Sequence, residues 1–169
     1  KAWQLTTYKT ITVYADYFAD CSGDSILSKF TGAQIMSGRE GRDQFNEKTA
    51  PAVADKQVMG LSCLIQARET DEETKYIPPK FAKKFCKDDF PYRLRTEKSY
   101  DFIRDNYWWI ELGGEEGAQV DAEKIKDRLI SAAYGVWDFV KNSNIYESQK
   151  WDLDFVGQLP AKRESYRYV

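Results

Sequence analysis

The sequence contains no histidine, so it lacks the commonest general base and the commonest metal ligand among the side chains. Acid–base chemistry would then rest on Asp, Glu, Lys, Tyr and Cys. The three cysteines, Cys21, Cys63 and Cys86, lie far apart and form no C-x-x-C pair, which indicates neither a zinc site nor a disulfide framework. We therefore expect no metal site, and we expect all three to be buried thiols that pack like small apolar residues.

A strong charge of either sign is also missing. The 25 basic and 27 acidic residues are interspersed and leave a net charge of −2, whereas nucleic-acid binding usually needs a basic face. No apolar run approaches the roughly 20 residues of a membrane-spanning helix, and no secretory signal pattern is visible. We expect neither a nucleic-acid nor a membrane partner, and the compartment stays open between the cytoplasm and export.

Aromatic residues are abundant, at 15% of the 169 residues, with five Trp and eleven Tyr. Such rings fill a core, line a ligand cleft or form an interface.

The length suits one compact unit. Because the first predicted strand lies so near Lys1, and the chain ends in the charged and aromatic "KRESYRYV", we expect a piece of a longer protein.

Strand and helix patterns are interleaved along the chain. Strands are predicted over 9–14, 17–20, 33–38, 57–69, 107–112 and from residue 151, where Trp151, Leu153 and Phe155 alternate with acids. Helices are predicted over 26–30, around Phe81 and Phe85, and over 121–143, and residues 38–56 form a long loop with one helical turn. This order predicts an α+β fold with a mixed or antiparallel sheet and flanking helices.

The helix predicted over 121–143 has the clearest pattern. Asp121 is placed to cap it, and Trp137 lies on the flank of its apolar stripe. The stripe follows helical spacing and consists of Ile125, Leu129, Ala132, Ala133, Val136 and Val140.

The stretch "ADCSGDSI" is a turn of small residues between a predicted strand and a predicted helix. Turns of this kind hold phosphates or flavins through backbone amides, so Ser22, Gly23 and Asp24 are candidate cofactor-binding residues. The alternative is an ordinary capped corner.

Two further stretches carry candidate cleft residues. In "SGREGRDQF", Arg39 and Arg42 could grip carboxylates or phosphates bidentately, unless Glu40 and Asp43 neutralise them within the loop. In "NYWWIELGGE", strand alternation places Trp109 and Glu111 on the face opposite Ile110, where they would line a substrate cleft or an interface.

The stretch "PAKRESYRYV" gathers Arg163, Glu164 and Arg167 after a predicted strand and a proline. It is either a surface tail or, with more protein after it, a loop that enters an active site. Carboxylates are plentiful enough for a glycosidase pair, but no pair is singled out by its spacing.

Together, "YFADCSGDSILSKFTGAQIMSGREGRDQFNE", "YWWIELGGE", "YGVWDFVKN" and "LPAKRESYRYV" resemble the FAD-dependent oxidoreductase family. Members commonly read strand–"DATGDG"–helix–"GA"–"GRE", and the later blocks follow in the same order over nearly the whole chain. This chain has Cys21-Ser22 where the family commonly has Ala-Thr, and it has no G-x-G-x-x-G.

The resemblance implies a flavoprotein of the two-dinucleotide-binding type that transfers a hydride from a small-molecule substrate to FAD. It implies that residues 1–32 form inter-lobe strands and the turn near the FAD, and that 33–169 form the substrate-facing domain. The glycine fingerprint that holds the pyrophosphate would lie upstream of Lys1. This piece alone would be inactive and free of FAD, and the other FAD-binding segments of the same polypeptide would be its partner.

The family also implies that Arg163, Glu164 and Arg167 are the first candidates for catalytic residues. Two other functions stay open. The aromatic content suits a carbohydrate-binding module without catalysis, which would bind sugars in the absence of flavin. It also suits a protein-interaction domain, which would associate in a concentration-dependent manner.

Overall fold

The computed structural model describes residues 2–4, 9–90, 110–116 and 122–168. The chain divides into a smaller unit, Lys1–Met36 with Tyr166–Val169, and a larger unit, Ser37–Ser165. Every strand pair in the described residues is antiparallel, and the elements match the α+β class predicted from the sequence. The roles predicted for 1–32 and 33–169 stay a prediction.

The smaller unit contains four short strands and one short helix among its described residues. Strand β1 (Ala2–Gln4) pairs with β2 (Lys9–Ile11), and β3 (Ile35–Met36) pairs with β8 (Arg167–Tyr168). Helix α1 (Ser28–Thr31) ends at Gly32, whose left-handed conformation, with a φ of 77°, suits the end of a helix. The helix predicted over 26–30 begins later than predicted, after Leu27.

The strand predicted over 17–20 is absent from the structure, so that prediction is wrong. Tyr17 and Phe18 are exposed, and none of the strands in the described residues pairs with this segment. The chain instead enters a turn in which the carboxylate of Asp20 accepts hydrogen bonds from the backbone N–H groups of Ser22 and Leu27. Side-chain acceptors of this kind compete with a β-ladder.

In the larger unit, the strand predicted over 57–69 is divided in two. Strand β4 (Leu61–Cys63) pairs with β6 (Ile110–Leu112), and β5 (Ile65–Glu69) pairs with β7 (Trp151–Val156). The division falls at Leu64, whose carbonyl accepts a hydrogen bond from Gly157 at 2.7 Å. One continuous apolar sequence pattern therefore forms two strands, and each of them pairs with a different partner.

A β-bulge in β7 changes which side chains face the core. Gln66 pairs with Phe155, but Ala67 pairs with Leu153, so Asp154 has no counterpart on β5. After the bulge the faces exchange: Phe155 is 49% exposed, and Val156 packs against the core instead. The prediction that Phe155 shares the buried face of Trp151 and Leu153 is wrong.

The longest element is α3 (Ala122–Asn142), which is about 30 Å long at 1.5 Å per residue. Its six predicted stripe residues are all buried, and Trp137 is buried as well. They pack against β4, β6 and β7 to form the core of this unit. The predicted cap Asp121 lies outside the described residues.

The helix predicted around Phe81 and Phe85 is wrong. Residues 80–82 form a turn, and an extended segment leads to a 3₁₀ turn at Lys87–Asp89. The backbone N–H of Lys83 donates to the carbonyl of Ser131 on α3 at 3.0 Å, and the hydroxyl of Ser131 donates to the carbonyl of Phe81 at 2.7 Å. Hydrogen bonds to α3 replace those of a local helix.

The helical turn predicted in the 38–56 loop is confirmed as α2 (Arg42–Phe45).

The cysteines do not share one environment. Cys63 is buried in β4, and burial raises the pKa of its thiol. Cys21 and Cys86 are exposed, so the prediction of three buried thiols is wrong for these two. Both lie in irregular segments, at the start of the small-residue turn and immediately before the 3₁₀ turn.

Across the described residues, no helix combines the length and apolar character that crossing a bilayer requires. The same part of the chain shows no group of three carboxylate or cysteine side chains arranged to hold a metal ion.

Candidate functional site

A cleft of about 400 Å³ lies beside the end of β6 in the larger unit. We call it the glycine cleft. After Leu112 the chain turns sharply at Gly113, whose φ is 86°, and Gly114–Glu116 form a 3₁₀ turn. Besides this turn, the residues that line the cleft are Gln57, Val58, Glu111, Leu112 and Arg128.

Two glycines allow the segment before β4 to approach β6 closely. A Cβ on Gly60 would lie 2.7 Å from the carbonyl oxygen of Leu112, and one on Gly114 would lie 2.5 Å from that of Val58. The backbone N–H of Val58 donates to the carbonyl of Gly114 at 3.0 Å. The wall of the cleft is therefore built from backbone in direct contact, which any side chain at these glycines would separate.

Glu111 connects this wall to the 161–165 segment. Its Oε2 lies 2.7 Å from Nη1 of Arg163, and its Oε1 accepts a hydrogen bond from the backbone N–H of Gly60 at 2.9 Å. Oε2 of Glu164 accepts a hydrogen bond from the backbone N–H of Met59 at 2.8 Å. Three residues predicted from two separate motifs, Glu111 from one and Arg163 and Glu164 from the other, therefore lie together here.

The backbone fixes the same junction. Ser62 and Ala161 exchange two hydrogen bonds, of 2.9 and 2.8 Å, so an isolated β-bridge joins the start of the 161–165 segment to β4. Ser62 is also paired in register with Glu111 on β6. The position of Arg163 is thus set by this bridge, by its ion pair with Glu111 and by the adjacent Glu164 contact.

A second hollow of about 460 Å³, which we call the aromatic hollow, adjoins the first and shares Glu111, Leu112 and Arg128 with it. Apolar side chains form most of its wall: Phe85, Phe90, Ile110, Leu112, Ala132 and Val136. Lys83, Arg128 and Ser131 supply its polar atoms beside Glu111. The rings of Phe85 and Phe90 lie 5.1 Å apart.

Arg39 and Arg42 lie in the 38–56 loop of the same unit. Nε of Arg39 donates to both carboxylate oxygens of Asp55, at 3.1 and 3.0 Å, and Nη2 contacts Oδ2 as well. This fork raises the pKa of Arg39 and lowers that of Asp55. Nη2 of Arg42 donates to the carbonyl of Ala50 at 3.3 Å. Both arginines bind groups in their own loop, and neither lines the two hollows.

The small-residue turn lies in the smaller unit. Oδ1 of Asp20 accepts hydrogen bonds from the backbone N–H and the hydroxyl of Ser22, at 3.0 and 2.6 Å. The Ser22 hydroxyl oxygen in turn accepts the backbone N–H groups of Asp24 and Ile26, at 3.3 and 3.2 Å. Gly23 has a φ of 74°, and a Cβ built on it would meet nothing within 4 Å.

These contacts test whether the turn suits FAD. Several backbone N–H groups of the turn already donate hydrogen bonds to the carboxylate of Asp20 and the hydroxyl of Ser22. The carboxylates of Asp20 and Asp24 also repel a phosphate group. The turn therefore does not fit the pyrophosphate. The open space over Gly23 does fit close approach of an uncharged part of the cofactor.

The remaining candidates are distributed as follows. Arg167 lies on β8 in the smaller unit, in register with Met36 of β3. Trp109 lies outside the described residues. Arg128 and Lys83, which line the aromatic hollow, were not predicted as site residues, because a polar residue beside an apolar helix stripe carries no distinct signal and the spacing before Lys87 favours a helix. It also missed Asp55, which lies 16 residues from Arg39 with no local pattern to link them.

Comparison with known proteins gives one match. The family model described as "FAD dependent oxidoreductase" matches residues 1–169, the whole chain. No curated protein and no solved structure matches.

Proposed function

Because the chain belongs to the family of FAD-dependent oxidoreductases, we propose that its larger unit binds a small-molecule substrate and orients it for hydride transfer to the flavin. The observation that supports this most directly is the junction at which Glu111 binds both Arg163 and the Gly60 amide, next to two hollows. A charged group held in place beside a concave, largely apolar surface is the usual composition of a small-molecule site.

In this proposal, FAD when bound supplies the hydride acceptor. Arg163 lies beside the two hollows without lining either of them, and it binds an oxygen of the substrate through guanidinium N–H groups that Glu111 does not engage. Glu111 orients that guanidinium and holds it through a direct ion pair, while Glu164 fixes the segment through the Met59 amide. The apolar wall from Phe85 to Val136 excludes water from the rest of the substrate.

We further propose that an uncharged part of the flavin passes the turn Ser22-Gly23-Asp24, where the space over Gly23 is open. The pyrophosphate would be held by other flavin-binding segments of the same protein, because this chain contains no G-x-G-x-x-G. Without those segments we expect the 169-residue chain to be colourless and inactive. Trp109 remains a proposed contributor to the substrate cleft, whereas Arg39 and Arg42 bind groups of their own loop outside both hollows and Arg167 lies in the smaller unit.

Replacement of Arg163 by alanine in the whole flavin-loaded protein tests the substrate role. The loss of a charge-assisted hydrogen bond of about 1.5–3 kcal/mol predicts a fall of roughly 10- to 150-fold in kcat/KM. Arg68→Ala is the matched control, since Arg68 lies on β5 of the same unit with a long, exposed contact to Asp154 at 3.4 Å. Unchanged turnover in Arg163→Ala, with normal flavin content, would remove Arg163 from the site.

The cofactor proposal is tested at Gly23. We expect Gly23→Ala to lower the ratio of bound flavin to protein, read from the visible flavin absorbance. Gly32→Ala is the control, because Gly32 has nearly the same φ, 77°, and equally open space around its Cα. Equal flavin content in the two variants would show that strain at positive φ, and not proximity to the cofactor, causes any loss.

A second candidate, protein interaction, is favoured by one observation. Tyr14, Tyr17 and Phe30 of the smaller unit are 91%, 92% and 83% exposed. Exposed rings of this size are typical of interfaces. Sedimentation of the chain at several concentrations tests this, and a constant monomeric mass would contradict self-association.

A further inference from the structure

We propose that the aromatic hollow binds a small organic acid, with an apolar ring system inside the hollow and its carboxylate at Arg128 and Lys83. This names a substrate class for the proposed function and rests on it. The family match states only that the chain belongs to FAD-dependent oxidoreductases, so the class of substrate has to come from the hollow itself.

The size and wall of the hollow favour a compact apolar body. Its volume of about 460 Å³ lies within the range of about 300–1,000 Å³ that small-molecule sites occupy. Phe90, Ile110 and Val136 are each less than 10% exposed and belong to the core of the larger unit. The ring of Phe90 also packs against Phe139 at 5.0 Å, so this wall is supported from behind.

The charge of the lining favours an anion. Lys83 and Arg128 are the two cations, and Glu111 is the one acid in the lining. Glu111 is already paired with Arg163 at 2.7 Å, which offsets its charge. Arg128 is paired in turn with Glu116 at 3.0 Å, so Lys83 leaves the lining of the hollow with a net positive charge.

Both cations remain accessible to a ligand. Nη1 of Arg128 lies 3.0 Å from Oε1 of Glu116, yet the Arg128 side chain is 59% exposed and its planar fork carries further donors. Nζ of Lys83 lies 4.8 Å from the centroid of the Phe85 ring, which places its charge over the aromatic wall. A carboxylate attached to a ring would meet both groups at the boundary between wall and solvent.

The test uses three naphthalene probes of matched shape in calorimetric titrations of the whole protein: 2-naphthoate, 2-naphthamide and 2-naphthylmethylamine. We expect naphthoate to bind at least roughly tenfold more tightly than the neutral amide, because a charge-assisted hydrogen bond is about twice as strong as a neutral one. The amine should bind most weakly. Equal affinities for naphthoate and the amide, or tighter binding of the amine, would overturn the proposal.

Two variants locate the binding. Ala132→Leu fills the hollow from α3 and should abolish binding of naphthoate and amide alike. Its control is Ala122→Leu, which adds the same atoms to an exposed position of that helix.

Arg128→Gln should reduce the preference for naphthoate to less than about threefold. Its control is Lys124→Gln, which removes a charge from the same helix outside the hollow. Because Arg128 is exposed, its variant tests the proposal even if Ala132→Leu does not fold. Unchanged naphthoate binding in Arg128→Gln would contradict it.

Flavin content of the same preparations separates this inference from the function on which it rests. Naphthoate binding without any flavin in the whole protein would reject the oxidoreductase proposal and leave the anion site standing. Bound flavin with no preference among the probes would reject the anion site alone.

Discussion

Gly135, in the middle of α3, offers a test in which local and tertiary effects have opposite signs. By helix propensity alone, Gly135→Ala should stabilise the protein by about 1 kcal/mol. In the structure, however, a Cβ at this position would lie 2.0 Å from the carbonyl oxygen of Lys83 and 3.0 Å from Cε2 of Phe85. The first neighbour is backbone, so it cannot be moved by a rotamer change.

The cost follows from what must move. The 81–85 segment would have to retreat by about 1.4 Å before the new contact reached an ordinary 3.4 Å. That shift breaks the hydrogen bond from the Lys83 amide to Ser131 and strains the one from the Ser131 hydroxyl to Phe81, each worth about 1 kcal/mol. Loosened packing at Phe85 adds about 1 kcal/mol. With the propensity gain subtracted, we expect a net loss of about 2 kcal/mol.

Urea unfolding followed by tryptophan fluorescence measures the free energy, and amide hydrogen exchange at Lys83 reports the shift of the segment. Asp127→Ala is the control, since Asp127 is exposed on the same helix and alanine there should be neutral or slightly stabilising. A stabilised Gly135→Ala variant that keeps full protection of the Lys83 amide would refute the contact and the position of the segment.

Three further predictions concern single side chains. Glu111→Gln should lower the free energy of unfolding by less than about 1 kcal/mol, because its ion pair is partly exposed. If the fall in kcat/KM, converted to a free energy, exceeds this loss of stability, Glu111 is a positioning residue. If the two losses are proportional, it is not. Ellman's reagent should titrate Cys21 and Cys86 rapidly and Cys63 only after unfolding, so three fast equivalents would contradict the burial of β4. Tyr76→Phe should be neutral or stabilising at pH 7, because the buried hydroxyl has no hydrogen-bond partner among the described residues. Burial raises the pKa of Tyr76 to about 12, above the value of about 10 expected in the unfolded chain, so the folded state keeps a proton that the unfolded state releases. Wild-type stability should therefore fall between about pH 10 and 12 more steeply than that of the variant, and equal slopes in urea midpoints across this range would exclude the shift.

Helix α3 could be predicted because its evidence is local. Apolar residues at helical spacing bury one face whatever they pack against, and Ile125, Leu129 and Val136 all proved to be buried. The α+β class followed from the same kind of pattern, since separated strand and helix periods leave few other arrangements.

Pairing across strands could not be predicted in this way. The bulge opposite Gln66 and Ala67 is a property of two strands together, and it moved Phe155 to the exposed face although its own strand alternates regularly. The 81–85 segment shows the same limit. Spacing of Phe81 and Phe85 suits a helix, but the ring of Phe81 packs on Tyr134 of α3 at 5.4 Å and the backbone is bound to Ser131.

The site was only partly predictable for a related reason. Strand alternation placed Glu111 opposite Ile110, and the structure shows Ile110 buried and Glu111 exposed. The ion pair with Arg163 joins residues 52 positions apart, and nothing in either motif specifies the other. Arg128 was missed because a polar residue beside an apolar stripe is the ordinary composition of any surface helix.

The position of Glu111, which lines both hollows, affects which substitutions would change substrate preference in the proposed site. Its carboxylate joins the Gly60 amide to Arg163, and its side chain lines both the glycine cleft and the aromatic hollow. A Cβ on Gly60 would meet Cγ of Glu111 at 2.8 Å, so a change in the backbone wall would displace the carboxylate and Arg163 with it. In the proposed site, a substitution at Gly60 would therefore move Glu111 and Arg163 together, and altered substrate preference should arise more readily at Ala132 or Lys83, which line the aromatic hollow alone.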